Sequence, residues 1–142
     1  MRPRGFSLVE TVLVMALAGL LVHGGVVSLK SLVPKFRLLA GAWEVRSVLN
    51  EARFSAIWTG APRRVTFAAS GYVLESYDEA VSAWRALRSA RVEGVKVEAN
   101  NNPAFYPEGT VANLATLTVA NSRGAYRITI AITGRIRVLK VG

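Results

Sequence analysis

The 142-residue sequence contains no cysteine and one histidine, His23. Without thiols, neither a disulfide framework nor a thiolate metal site can form, and the single imidazole has no second ligand near it in sequence. Acids are scarce as well, with 9 Asp and Glu against 18 Lys and Arg, for a net charge of +9. The neighbouring Asp78 and Glu79 have no spaced partner with which to divide acid and base roles, and no glycine-rich phosphate loop is present. Catalysis is therefore not expected, and neither is a cofactor or a metal. The excess of positive charge points instead to an anionic partner: nucleic acid, lipid headgroups or an acidic neighbour. Internal repeats and low-complexity segments are also missing.

What the chain does have stands at its beginning. Arg2, Arg4 and Gly5 precede Phe6-Ser7-Leu8-Val9-Glu10, and from Thr11 to Leu29 there is no formal charge. At 1.5 Å per residue that uncharged run covers about 28 Å as a helix, close to the roughly 30 Å of a bilayer's hydrocarbon core. Arg2 and Arg4 on the short side predict a cytoplasmic N-terminus and an exported remainder. Glu10 is costly in such a segment, about 2.5–3.5 kcal/mol for an acid at mid-helix, and calls for a partner. The candidate small residue for cleavage, Gly5, comes before the apolar run, so a cut there leaves the helix on the mature chain. It also frees an amine at Phe6, one helical turn from Glu10; a neighbouring subunit's amine would serve equally well. Removing Arg2 and Arg4 takes the net charge from +9 to +7. Ala16, Ala18, Gly19, Gly24 and Gly25 permit close helix packing. His23 reads as a neutral side chain packed in a bundle or near the outer interface.

Lys30 closes the apolar run, and Pro34 is expected to kink or briefly break the helix. Beyond it Val45, Val48, Leu49, Ala52, Ala56 and Ile57 recur at three- and four-residue steps, with Arg46, Asn50 and Arg53 elsewhere on the wheel, as in an amphipathic helix with one face on a core. Gly60 and Pro62 stop it, so one long helix is expected over roughly Phe6–Thr59. The period then changes to two. Strands are expected at Arg63–Ala69, Tyr72–Tyr77, Val92–Glu98, Ala104–Tyr106, Thr116–Ala120, Tyr126–Thr133 and Arg135–Val141, with Ser70-Gly71 as a hairpin signal and Asn100-Asn101-Asn102-Pro103 as a turn. Asp78–Ala90 fits a short helical turn or an irregular loop. One helix followed by short, mostly antiparallel strands is an α+β domain.

The last hairpin can be read to the residue. Tyr126, Ile128 and Ile130 alternate with Arg127, Thr129 and Ala131, and Ile136 and Val138 alternate with Arg135 and Arg137. The two apolar sets share a face only if Ala131 opposes Arg135, Thr129 opposes Arg137 and Arg127 opposes Leu139. That leaves Ile132-Thr133-Gly134 as a three-residue loop, with Gly134 in the left-handed position that glycine suits best. Arg127, Arg135 and Arg137 then share one solvent face, with Lys140 near the chain end but nominally on the other side.

The N-terminal pattern, Gly5-Phe6-Ser7-Leu8-Val9-Glu10 after a short basic leader, resembles the class III signal of type IV pilins and type II secretion pseudopilins. The resemblance implies cleavage between Gly5 and Phe6 by a prepilin peptidase, methylation of the new Phe6 amine, and filament assembly guided by Glu10 paired with a Phe6 amine. Further on, Glu51-Ala52-Arg53-Phe54-Ser55-Ala56, Phe105-Tyr106-Pro107-Glu108-Gly109, Thr116-Leu117-Thr118-Val119 and Gly134-Arg135-Ile136-Arg137 resemble the GspH/FimT family of minor pilins and pseudopilins. The implied fold is type IV pilin-like: a leader at 1–5, a transmembrane and assembly half-helix at 6–29, an exported amphipathic half at 30–60, and an antiparallel β domain at 61–142. In DNA-uptake members a C-terminal Gly-Arg-x-Arg element is associated with DNA binding, and it maps onto Arg135 and Arg137; Arg127 and Lys140 join them as candidates by position. The implied role is a minor pilin, anchored by a single pass in the bacterial inner membrane with its C-terminal domain periplasmic or extracellular. It would sit among other pilins and bind DNA for transformation. The alternative is a type II secretion pseudopilin with a purely structural role at the tip or in assembly.

Overall fold

The computed structural model describes residues 7–141, and the side chains of all of these except residues 22–31. Cleavage between Gly5 and Phe6 and methylation of Phe6 fall outside the described residues, as does the side chain of His23. The contacts divide the chain into two units, Met1–Val33 and Pro34–Gly142.

A single helix, α1 (Leu8–Thr59), contains Pro34 within its span. Its start is conventional for a helix N-terminus. The Ser7 carbonyl accepts from the Thr11 backbone N–H at 3.1 Å and from the Thr11 hydroxyl at 3.4 Å, which puts Ser7 at the cap and Glu10 in the first turn, where the helix dipole favours an anion. In the first unit the described apolar side chains from Leu8 to Leu21 are all exposed. Among the described residues no helix is long and apolar enough to cross a membrane. The expected span, Thr11–Leu29, runs into residues 22–31, whose side chains lie outside the described set.

In the second unit α1 lies on two antiparallel sheets. The strands are β1 (Arg63–Ala68), β2 (Gly71–Asp78), β3 (Ala83–Arg91), β4 (Lys96–Ala99), β5 (Ala104–Phe105), β6 (Val111–Ala112), β7 (Thr116–Asn121), β8 (Gly124–Ile130) and β9 (Ile136–Val141). One sheet runs β3-β2-β1-β5-β6 and the other β4-β7-β8-β9. This is the expected α+β architecture. Helical spacing puts Leu38, Ala42, Val45, Leu49, Ala52 and Ala56 on one buried face of α1, where they meet Val65, Leu74 and Phe105 from the first sheet and Leu117, Val119, Ile128 and Ile130 from the second. Ile57 was expected on that face but is 46% exposed, because it stands about 100° round the helix from Ala56. The helix ends at Gly60, which takes φ +66, while Arg63 folds back to donate to the hydroxyls of Ser55 (3.0 Å) and Thr59 (3.1 Å), a cation placed where the dipole wants one.

Besides shifts of one to three residues at strand ends, among them β8 closing at Ile130 rather than Thr133, the sheets differ from the expected strands in three places. Asp78–Ala90 is neither a helical turn nor a loop along its length: after a turn in which Asp78 accepts from the Ala80 N–H at 3.0 Å, the chain returns as β3, paired along β2. β3 is an edge strand exposed almost throughout, and a register shift at Leu74/Glu75 interrupts its alternation; an exposed strand carries no burial pattern to read. β4 starts at Lys96 rather than Val92, because Gly94 at φ +72 turns the chain before it. Val92 is still buried, its N–H donating to the Ser70 carbonyl at 2.9 Å. β6 was not anticipated; it is two residues long, paired with β5.

Candidate nucleic-acid interface

The C-terminal hairpin forms in the register that its alternation demands. Arg127 opposes Leu139, Ile128 opposes Val138 and Thr129 opposes Arg137. Beyond the paired residues the Ala131 N–H donates to the Arg135 carbonyl at 3.0 Å and the Gly134 N–H to the Ala131 carbonyl at 2.9 Å, closing a loop in which Gly134 adopts φ +74. Ile128 and Ile130 are buried and Tyr126, Ile136 and Val138 pack against the core, so Arg127, Arg135 and Arg137 stand on the opposite, solvent-facing side, and all three are exposed. Arg127 and Arg137 are diagonal neighbours, a relation that brings long side chains within reach of each other. Lys140 opposes Tyr126 and belongs by parity to the inner face; it reaches solvent because β9 is the sheet's edge strand. Three of the four candidate side chains are thus brought together, and Lys140 is not.

Among the described residues none of these four side chains forms an ion pair; the bridges present belong to Arg64, Arg85, Arg88 and Lys96. Their face continues across β8, β7 and β4 as an open groove of about 650 Å³ lined by Thr116, Thr118, Thr129 and Arg127, with Glu98 at its far side. Glu98 faces Thr118, which faces Arg127. Its carboxylate is already bound to Lys96 at 2.6 Å, a hydrogen bond that holds the Glu98 carboxyl below and the Lys96 ammonium above their ordinary ranges. The anionic limit of the face therefore lies two strands from its nearest arginine. Among the described residues no aromatic ring is exposed on it: Tyr126 is half-buried, and the large exposed aromatics, Phe36, Trp43, Phe54 and Trp58, lie on α1.

One contact of the hairpin was not foreseen. Arg53, in the last two turns of α1, donates through Nη2 to the Thr133 carbonyl at 3.2 Å. Its Nε is buried without a hydrogen-bond partner, and a Cβ on Gly134 would come within 2.5 Å of that nitrogen. Sequence reading had placed Arg53 off the apolar face and no further, since a contact across 80 residues leaves no periodic trace. A second long-range tie sits at the β7–β8 turn, where Nδ2 of Asn121, the last residue of β7, donates to the Pro34 carbonyl at 2.7 Å.

Of the remaining expected site residues, Gly5 and Phe6 lie outside the described set, and Glu10 is exposed in the first turn of α1. No protein-family model and no curated protein matches the sequence. Solved structures do match in fold. The minor pseudopilin EpsH from the type II secretion system of Vibrio cholerae superposes with a TM-score of 0.64 at 14% identity, over 76% of this chain and 96% of that one. The type IV minor pilin FimU of Pseudomonas aeruginosa superposes with a TM-score of 0.62 at 16% identity, over 74% and 90%. The fold is thus the type IV pilin-like fold that those proteins share.

Proposed function

We propose that this protein is a minor pilin of a type IV pilus that binds DNA phosphates for natural transformation. In this reading a prepilin peptidase cuts after Gly5 and methylates the Phe6 amine. The helix anchors the chain by a single pass in the inner membrane and then among other pilins, and Glu10 guides assembly by meeting a Phe6 amine. The observation that carries the DNA-binding half is the solvent face of the terminal hairpin, where Arg127, Arg135 and Arg137 stand exposed with no carboxylate among the described residues bound to any of them. Guanidinium groups bind phosphate oxygens through paired, charge-assisted hydrogen bonds, and the threonines beside them add neutral donors. Such contacts follow the backbone, depend on salt and carry little sequence information. With no exposed ring on the face, base stacking has no platform. On the β4 side Lys96 is taken up by Glu98, so the strand of DNA is expected along β8 and β9, where the arginines left unpaired among the described residues stand.

A second reading, a type II secretion pseudopilin with a purely structural role, rests on an observation that involves no DNA. Phe36, Trp43, Phe54 and Trp58 are 66%, 56%, 67% and 91% exposed, on the side of α1 turned away from its core face, where a neighbouring helix in a filament would cover them. Mounting of the helix in a filament is common to both readings; they part over whether the domain also touches DNA. Glu10→Ala should leave the protein in the membrane fraction and remove it from sheared filaments; wild-type incorporation of the variant would refute the role given to Glu10. Duplex DNA retarded by the full chain in non-ionic detergent at low salt separates the first reading from the second.

A further inference from the structure

We infer that Arg53 is a positioning residue for the phosphate-binding arginines, holding the Ile132-Thr133-Gly134 loop so that Arg135 and Arg137 are presented in one fixed pose; this rests on the DNA-binding reading above. The loop is joined to the body of the domain at few points. Its own hydrogen bonds close it on itself, Ala131 to Arg135 and Gly134 to Ala131, while Ile132 and Thr133 are exposed. Among the described residues two bonds tie it elsewhere: the Val111 N–H donates to the Ile132 carbonyl at 3.0 Å, and Arg53 Nη2 donates to the Thr133 carbonyl at 3.2 Å. Of these, only the second comes from the long helix, the stiffest element available, and only the second involves a charge, which makes it the stronger kind of hydrogen bond.

The fit between Arg53 and Gly134 is mutual. The guanidinium lies where a side chain at Gly134 would begin, with Cδ and Cζ at 3.0 and 3.1 Å from that position as well as Nε at 2.5 Å. Any other residue there would displace the arginine, quite apart from the φ of +74 that only glycine accepts freely. Gly134 thus has two reasons to be glycine: the turn and the arginine packed beneath it. Nε is buried and Nη2 is engaged, so Arg53 is poorly placed to grip a phosphate itself. Its influence runs through the loop, whose next residue is Arg135. A lysine would keep the charge but has neither the flat surface to lie under Gly134 nor the fixed fork that aims Nη2 at the carbonyl.

The test uses the full chain in non-ionic detergent and a random-sequence duplex, with affinity measured across a range of salt. Arg53→Ala is expected to reduce the salt dependence about as far as Arg135→Ala/Arg137→Ala does, to add nothing further when combined with that pair, and not to be rescued by Arg53→Lys. Equal losses from Arg53→Ala in both backgrounds would make Arg53 a direct phosphate contact and overturn the inference. A lowered melting temperature with unchanged affinity and salt slope would overturn it too, leaving a merely structural residue, and so would wild-type binding by Arg53→Lys. Hydrogen exchange without DNA supplies an independent readout: the Ala131 and Gly134 amides should exchange about ten-fold faster or more in Arg53→Ala, and unchanged exchange would contradict the hold on the loop. If the wild type binds no DNA, the DNA-binding reading fails and exchange alone decides whether Arg53 fixes the loop. Should Arg53→Ala not fold, Arg53→Gln, which keeps a polar side chain but shortens it below the reach of the Thr133 carbonyl, is expected to accelerate the same amides, and unchanged exchange in it would contradict the inference.

Discussion

The two sheets of the domain spend their arginines differently. In the five-stranded sheet Arg63 is bound to Ser55 and Thr59, Arg64 is bound to Glu75 at 2.7 Å and lies over the Trp84 ring, Arg85 pairs with Asp78, and Arg88 pairs with Glu51 at 2.6 Å; Arg91, at the end of β3, is the exception. In the four-stranded sheet Lys96 pairs with Glu98 on the far strand, but Arg127, Arg135, Arg137 and Lys140 on the terminal hairpin have no carboxylate among the described residues. A net charge of +9 spread over the chain does not say where an anion would bind. The distinction between cations already neutralised within the fold and cations left to solvent does, because a phosphate must otherwise compete with a carboxylate held at close range.

The sharpest way to break this contrast is to remove one set at a time. Arg135→Ala/Arg137→Ala is expected to weaken duplex binding at low salt on the order of 100-fold, with little change in melting temperature, since neither side chain is bound to a partner among the described residues. Arg85→Ala/Arg88→Ala should leave the affinity within about threefold. Parallel titrations of the two double variants decide the matter, and equal losses would erase the distinction. Next in size, Gly134→Ala should cost about 2 kcal/mol from its left-handed backbone and the displaced Arg53, read by urea unfolding followed through tryptophan fluorescence; an effect below about 0.5 kcal/mol would show that the loop yields easily.

The paired sheet makes its own, smaller predictions. Hydrogen bonds from Arg64 and then Thr66 hold the Glu75 carboxyl below its ordinary value of 4.5, against the opposing effect of burial. Because the folded-state value is the lower one, the stabilisation is complete above 4.5 and fades as pH falls through the lowered value. Glu75→Gln should therefore cost about 1 kcal/mol at neutral pH and flatten the loss of stability on acidification, measured as unfolding midpoints at a series of pH values. The smallest effect belongs to Arg88→Ala: its bridge to Glu51 is half-exposed on both sides, so the change should be about 0.2–1 kcal/mol and should shrink further in high salt.

The same contrast governs how much could be read before the structure. The β8–β9 hairpin was legible to its register because Ile128 and Ile130 are buried on one side while Arg127 faces solvent on the other, and because Gly134 fixes the loop length. The helix was legible from its spacing, apart from Ile57 at its end. β3 was not, because Ala83–Arg91 is exposed on both faces and its register slips opposite Leu74 and Glu75. The packing of Arg53 against Gly134 was also hidden. Each residue had a sufficient local explanation, a polar position on a helix and a turn glycine, and only the folded chain brings them into contact.

The most direct measurement of the central claim is the salt dependence of duplex binding by the wild-type chain. If three to four basic side chains of the terminal hairpin meet phosphates, log K should fall against log salt with a slope of about −3, the same in Arg85→Ala/Arg88→Ala and shallower by about 2 in Arg135→Ala/Arg137→Ala. A flat dependence, or a slope that Arg135→Ala/Arg137→Ala leaves unchanged, would contradict the account and return the hairpin's arginines to the status of a solvated face.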